Sequence, residues 1–417
     1  MRKLAWILLL LFAFAIPWEY SLNLGESLGN IARVAGLLLL LAAIPAVLQA
    51  GRMRTPRLMH WLVLGFYLWI CGSYFWSIAP VTTLERMRGY FQETMIVWLV
   101  WEFAESPRDL RWLLRAYVAG AWVLAALSLA NFRSAEAIAA GQIRFVAEGQ
   151  DPNDVARFLD LAFPLAALLL TSERRNGWRA LSLGYLPLGL IAVVLSASRG
   201  GFLGAIIALA GCGLLLARNH PKVVGGAFLA LPAIALVLWS FVPHETFERL
   251  ATIPSQLRGG DLNQRLNIWH AGWRAFVRAP WMGTGAGSFV AAGRTDPIDT
   301  AHNTVLSIAV GGGLVALFLM TAIAALAARA ALGTRGPLRI ALITALLLWA
   351  VIAMVDTLEE NRTTWLLLGL VALSGRLAGE QGEELEACFP VNPVAAGAAI
   401  AGLGASAGSA GRKSVVV

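Results

Sequence analysis

Asn303-Thr-Val-Leu-Ser-Ile-Ala-Val-Gly-Gly-Gly-Leu-Val-Ala-Leu-Phe-Leu-Met-Thr-Ala-Ile-Ala-Ala-Leu-Ala-Ala328 contains no charged side chain. A helix crosses a hydrocarbon layer of about 30 Å with roughly 20 apolar residues, so this stretch is long enough to span. Comparable runs precede it at 4–20, 31–49, 58–78, 87–104, 110–131, 155–171, 178–196, 200–217 and 222–242, and follow it at 338–356 and 363–377. The composition agrees: 58% of the 417 residues are hydrophobic, 14% are charged and 16 are Trp. Such a chain is too apolar for a water-soluble globule. The expected fold is an all-α integral membrane protein of about 12 transmembrane helices.

Basic residues orient the spans, because short loops rich in Lys and Arg stay cytoplasmic. With both termini inside, 19 of the 33 basic residues fall on the cytoplasmic side, in groups such as Arg52/Arg54/Arg57 and Arg108/Arg111/Arg115. Of the 14 outside, six lie in one long loop, where the rule is weak. The first segment follows Met1-Arg2-Lys3 but leads into Pro17-Trp18-Glu19-Tyr20 rather than a small-residue cleavage site, so it reads as a retained helix. Cys71 and Cys212 lie within spans and Cys388 in the tail, which leaves no disulfide framework or metal-ligand spacing.

The chain divides into a membrane domain over 1–377, a large outside loop over 243–302 within it, and a tail over 378–417. The tail is acidic and then Ala/Gly/Ser-rich, which predicts disorder. Two shorter outside segments stand beside the loop. Asn131–Asp154 contains Gln142-Ile-Arg-Phe145 and Asp151-Pro-Asn-Asp154, and the turn Ser196-Ala-Ser-Arg-Gly-Gly201 should hold Arg199 at the membrane interface. Inside the loop, apolar residues at 262, 266, 269, 273, 276 and 277 have helical spacing, with Asp261 as N-cap and Pro280 as stop. This predicts an amphipathic helix along the outer leaflet. Gly283-Thr-Gly-Ala-Gly287 lacks the strand and spacing of a nucleotide loop, so its glycines are expected to turn sharply and approach another backbone.

On one aqueous face these segments bring together Arg199, Arg265, His302 and Asn303, with Arg86, Arg88, Arg144 and Asp154 as further candidates. Arginine's planar fork binds phosphate bidentately and keeps its charge in a partly dry site. The plainer role for each arginine is a lipid headgroup contact. His302 stands where the loop re-enters the membrane, and an imidazole among cations favours its neutral, proton-accepting form. The pairs Asp151/Asp154 and Asp296/Asp299 have spacings that could suit a metal, but lie in Pro-containing loops where Asp makes turns. Glu93 and Asp160 fall within spans, where an ionisable group is a functional suspect; two are few for a proton-coupled pump.

In order along the chain, Arg144, Asp151-Pro-Asn-Asp-Val-Ala156, Leu195-Ser-Ala-Ser-Arg-Gly-Gly-Phe202, Arg265-x₃-Trp269-x₁₀-Pro280-x₂-Gly-x-Gly-x-Gly-x-Phe289 and Ala301-His-Asn303 form a pattern covering about 140–320. It resembles the O-antigen ligase and polymerase superfamily of membrane glycosyltransferases, with a GT-C-like architecture. The resemblance implies transfer of an undecaprenyl-pyrophosphate-linked O-antigen glycan to lipid A–core, among membrane lipids, at the periplasmic face of a bacterial inner membrane. It implies an inverting, metal-independent reaction without nucleotide sugar, cofactor or nucleic acid. Arg199 and Arg265 would bind the donor pyrophosphate, and His302 would stand near the acceptor hydroxyl. Many relatives carry an acidic residue shortly after the His-Asn pair, whereas Ile308–Leu314 here is apolar. A carboxylate partner for His302 must come from elsewhere or be absent.

Within the superfamily, a ligase, a polymerase and a protein O-oligosaccharyltransferase share the donor. The last usually adds a domain after the final helices, and the single dominant loop favours ligase over polymerase. A transporter of an anionic lipid or solute is the alternative of a different class; it predicts broken helix pairs with coupling residues at the midplane.

Overall fold

The computed structural model describes residues 1–25, 29–134, 142–173, 175–219, 221–260, 264–295 and 300–390. Among these the chain is helical, and its one extended pairing is an isolated bridge between Asn23 and Asn30. The long helices are α1 (Arg2–Ala15, continued by a 3₁₀ turn Ile16–Ser21), α2 (Ile31–Ala50), α3 (Leu58–Gly72), α4 (Pro80–Phe103), α5 (Pro107–Phe132), α6 (Pro152–Ser172), α7 (Asn176–Leu195), α8 (Arg199–Asn219) and α9 (Pro221–Phe241). Among the described residues, the long loop folds into four short helices, α10 (His244–Ala251), α11 (Ile253–Gly259), α12 (Arg265–Arg278) and α13 (Phe289–Gly293). After it come α14 (Thr304–Gly333), α15 (Gly336–Ala353), α16 (Arg362–Glu380) and α17 (Gly382–Cys388).

Every expected span coincides with a long helix, and among the described residues nine are long and apolar enough to cross a membrane. The expected spans in α4, α9 and α16 are outside that nine. Charges interrupt α4 at Glu85, Arg86, Arg88, Glu93 and Glu102, and α16 at Arg362, Arg376 and Glu380. Glu93, Glu102 and Arg376 are buried inside the protein, so these helices turn polar groups toward protein partners.

The centre of the bundle is α6, the one candidate span whose whole window is buried. Asp151 caps it, accepting hydrogen bonds from the backbone N–H groups of Asn153 (2.7 Å) and Asp154 (3.4 Å), and Pro152 supplies a preset first turn. Small residues let α8 approach. A Cβ on Gly201 would lie 2.1 Å from the Ala156 Cβ, and one on Gly204 would lie 2.4 Å from Asp160 Oδ2. Close helix contact through small residues is the usual solution in lipid, where apolar burial does not drive association. Asp160 is thus packed in the core against Gly204.

Where α12 was expected to begin at Asp261, that residue lies outside the described ones, as do Asp296 and Asp299; the helix starts at Arg265 behind Gln264 and ends two residues before Pro280. Its small face, with Ile268, Ala271, Gly272 and Ala275 buried, seats on α14, while Trp273 and Val277 remain exposed on the other side. The glycine turn also meets α14. Thr284 N–H donates to Val310 O (2.8 Å), Gly285 N–H to Gly311 O (2.9 Å), and Leu314 N–H to Pro280 O (2.8 Å). α14 breaks at Gly313 (φ 67°), and a Cβ on Gly283 would lie 2.6 Å from the Gly311 backbone. Two glycine runs therefore dock backbone to backbone, and the groups freed by the break are paired by the loop.

The tail begins with more order than its composition suggests. α17 follows α16 directly, with Leu385, Cys388 and Phe389 buried against the bundle; residues from 391 onward lie outside the described ones.

Candidate functional site

One face of the bundle carries a cavity of about 320 Å³ lined by residues from six separate parts of the chain. Arg144 comes from the segment before α6 and Asn153 from its first turn, Arg199 from the first position of α8, and Arg249 and Gln256 from α10 and α11. Arg265 and Trp269 come from the first turns of α12, and His302 from the residue before the α14 cap. The rest of the lining is largely apolar: Leu203, Ile253, Val351, Ile352 and Val355. Four guanidinium groups above an apolar floor suit an amphipathic anion.

Neutral groups position several of these arginines. Arg144 donates to Ser196 O (3.1 Å) and Asn153 Oδ1 (3.2 Å), Arg249 to Ala197 O (3.2 Å) and Arg199 to Thr252 Oγ1 (3.1 Å). Asn153 Oδ1 also accepts from Ser198 Oγ (2.8 Å), which ties the Asp-Pro-Asn-Asp segment to the turn before Arg199. Among the described residues, Arg144, Arg249 and Arg265 form no ion pair within 4.0 Å. Burial, reinforced by Arg249, pushes Arg144 down to about 10, with Asp151 opposing. Burial likewise lowers Arg265; Asp356 opposes, and Arg199 and Arg249 add to the lowering. Desolvated cations that repel one another are relieved by an anion placed among them.

Backbone strain collects here. Four described non-glycine residues have left-handed φ, and three adjoin the cavity: Ala197 (48°) before the Arg199 helix, Gln264 (62°) next to Arg265, and His302 itself (44°). Such conformations cost about 1–3 kcal/mol each and concentrate at functional sites. Trp269 Nε1 donates to the carbonyls of Ala301 (3.1 Å) and His302 (3.3 Å), holding the turn. Asn303 lies outside the cavity lining. Its Oδ1 caps α14 at Leu306 N–H (2.9 Å), and its Nδ2 donates to Met354 O (3.0 Å). Thr304 Oγ1 donates to Asp356 O (2.9 Å) and accepts from Leu358 N–H (2.8 Å).

Those bonds bring a carboxylate to His302. Asp356 Oδ1 lies 4.0 Å from His302 Nδ1, a buried atom with no hydrogen-bond partner among the described residues. The other oxygen of Asp356 is 2.6 Å from Arg157, which also pairs with Asp154 (2.5 Å). Burial alone would raise Asp356, but Arg157, His302, the Thr357 N–H and Arg265 outweigh it and hold the carboxyl below its ordinary range. It is ionised at neutral pH. Asp154 therefore stands one residue behind the site, acting on Asp356 through Arg157.

Arg86 and Arg88 are not part of this cavity. Arg86 pairs with Glu360 on the wall of a second cavity, and Arg88 is exposed. Both belong to α4, whose N-terminal end abuts the glycine turn instead, Thr83 Oγ1 donating to Ala286 O (2.8 Å). Among the described residues no group of three His, Cys, Asp or Glu side chains has metal-binding geometry.

Residues 184–321 match the family model described as O-antigen ligase. This segment is similar to the O-antigen ligase family. The matched segment runs from α7 into α14 and includes Arg199, Arg249, Arg265, Trp269 and His302; Arg144, Asn153 and Asp356 join the cavity or flank it from outside that segment. No curated protein matches the chain.

Sequence reasoning missed Arg249, Gln256, Asp356 and Arg157. Arg249 was one loop arginine among six, with no spacing to single it out. Asp356 was detectable in principle, because the connection between α15 and α16 opens on the same face as His302.

Proposed function

We propose that the chain is a lipopolysaccharide O-antigen ligase, a membrane glycosyltransferase that moves a glycan from a lipid pyrophosphate to a hydroxyl of lipid A–core at the periplasmic face. The observation that carries this reading is the single cavity in which Arg144, Arg199, Arg249 and Arg265 converge with His302 above an apolar wall. A prenyl pyrophosphate matches both surfaces: its charge meets the guanidinium forks and its chain meets Leu203, Ile253 and Val351.

In this mechanism the acceptor oxygen attacks the anomeric carbon from the side opposite the pyrophosphate. The new C–O bond forms as the bond to pyrophosphate oxygen breaks, and the leaving group takes the electron pair. The arginines stabilise the charge that grows on it, with Arg199 and Arg265 bearing directly on the pyrophosphate. His302 takes the hydroxyl proton, and Asp356 stabilises the resulting imidazolium. Displacement from the opposite side inverts the anomeric centre. The arginines supply the charge stabilisation that a metal would otherwise provide, so added chelator is expected to leave the rate unchanged.

Reconstitution with an undecaprenyl-pyrophosphate glycan and lipid A–core tests the reading. Glycan on the core supports it. Longer lipid-linked glycan would instead make the chain an O-antigen polymerase using the same donor site, and no transfer to either would overturn both.

A further inference from the structure

A second cavity, of about 260 Å³, lies on the other side of the connection that carries Asp356. Its wall is one face of α4, with Thr82, Glu85, Arg86, Tyr90 and Glu93, closed by Glu360 from the connection. Three carboxyl groups stand against one guanidinium, and that guanidinium is already paired with Glu360. Glu93 is 8% exposed, and its Oε2 is buried with no hydrogen-bond partner among the described residues. A buried polar atom costs free energy unless a donor reaches it, and a buried carboxylate costs more.

The chemistry of the wall selects among donors. Phosphate is repelled by the carboxylates. An ammonium group could satisfy them but only donates, and would leave the hydrogens of the Thr82 and Tyr90 hydroxyls without an acceptor. A sugar hydroxyl both donates and accepts, which answers a wall of mixed carboxyl, hydroxyl and guanidinium groups. The volume sits just below the ~300–1,000 Å³ usual for ligand pockets, so the site is small.

The placement adds a functional sense. Glu360 is four residues from Asp356 in the same connection, and a Cβ on Gly287 would lie 2.6 Å from Arg86 Cγ, so the glycine turn rests on this wall too. We propose that the α4 cavity binds an uncharged sugar ring of the acceptor glycan, which positions the reacting hydroxyl toward His302. This rests on the transferase reading above.

The test uses full-length protein carrying His302→Ala, so that binding is read without turnover. Calorimetry with a dephosphorylated core oligosaccharide should show binding that weakens about tenfold or more, or roughly 1.4 kcal/mol, on adding Glu93→Gln. Gly89→Leu serves as a second variant that fills the cavity; a Cβ there meets only Glu93 Oε1, at 3.8 Å, so the helix packing is left intact. Binding of farnesyl pyrophosphate to the arginine cavity should be unchanged in both. Oligosaccharide binding that is absent, or indifferent to both variants, while farnesyl pyrophosphate still binds overturns this inference alone. Displacement by ethanolamine without oligosaccharide binding would make it an ammonium site and also overturn the proposal. Failure of farnesyl pyrophosphate to bind would bring down the donor reading and this inference with it.

Discussion

The two cavities flanking the 354–361 connection are built from the same kinds of residue in opposite proportion. One gathers four arginines, with Asp356 set behind His302; the other gathers Glu85, Glu93 and Glu360 around Arg86. An arginine in the first is held by carbonyls and amides, as Arg144 is, whereas Arg86 in the second is neutralised by a carboxylate. The opposite face of the bundle repeats the second pattern: Arg115 pairs with Glu173 (2.6 Å), Arg2 with Glu102 (2.9 Å) and Arg57 with Glu380 (2.8 Å). Between the two cavities, what separates Arg144 from Arg86 is the partner, since a cation positioned by neutral groups keeps its field for a substrate.

The largest effect should come from breaking the cationic cavity at its centre. His302→Ala and Arg265→Ala are each expected to lower the initial transfer rate by about 10²–10⁴-fold without loss of folded protein; a near-normal rate in His302→Ala would end its assignment as the base. Next, Arg144→Gln and Arg249→Gln should each reduce kcat/KM for the donor by about 10–100-fold, the cost of about 1.4–2.7 kcal/mol of charge-assisted binding. Arg86→Gln should leave the affinity for farnesyl pyrophosphate within about twofold, whereas Arg144→Gln weakens it, because the charge of Arg86 is already paired with Glu360. Equal losses in Arg86→Gln and Arg144→Gln would erase the distinction between the cavities.

Two smaller effects concern pH. The Asp356 carboxyl sits lower in the folded protein than in the unfolded chain, so its stabilising contribution is complete above the unfolded value near 3.9 and is lost as pH falls through the lowered one. Asp356→Asn should therefore destabilise at pH 7 and converge with the parent in strongly acidic solution, as read by thermal unfolding. Glu359 and Glu360 carry the opposite sign. Burial first, and for Glu359 the neighbouring Glu360 next, hold both carboxyls above the ordinary range. The folded protein then binds more protons than the unfolded one, and stability declines as pH rises above about 4.3 toward the raised values. Glu359→Gln should flatten that decline, raising Tm by about 2–4 °C at alkaline pH. An unchanged slope would mean that the pair is more solvated than its burial suggests.

Much of the fold was legible because spanning a bilayer imposes a length and polarity that any reader of Asn303–Ala328 can see. Charged helices were harder to judge: α4 and α16 carry groups that only neighbouring helices make tolerable. The left-handed turn at His302 and the short helices α10 and α11 had no period to reveal them. Arg86 and Arg144 looked alike in sequence, as arginines in outside segments, and different partners separate them in space.

By itself the sequence determined that the chain lives in a membrane, where its long helices run, and which arginines and histidine lie on one face. Those follow from local hydrophobicity and from the parity of the spans. Only the tertiary structure decided that Arg249 joins Arg144, Arg199 and Arg265, that Arg86 does not, and that Asp356 supplies the carboxylate missing after the His-Asn pair. Charge partners are set by which segments meet, and those segments lie far apart in the chain, 199 residues for Arg157 and Asp356 and 323 for Arg57 and Glu380.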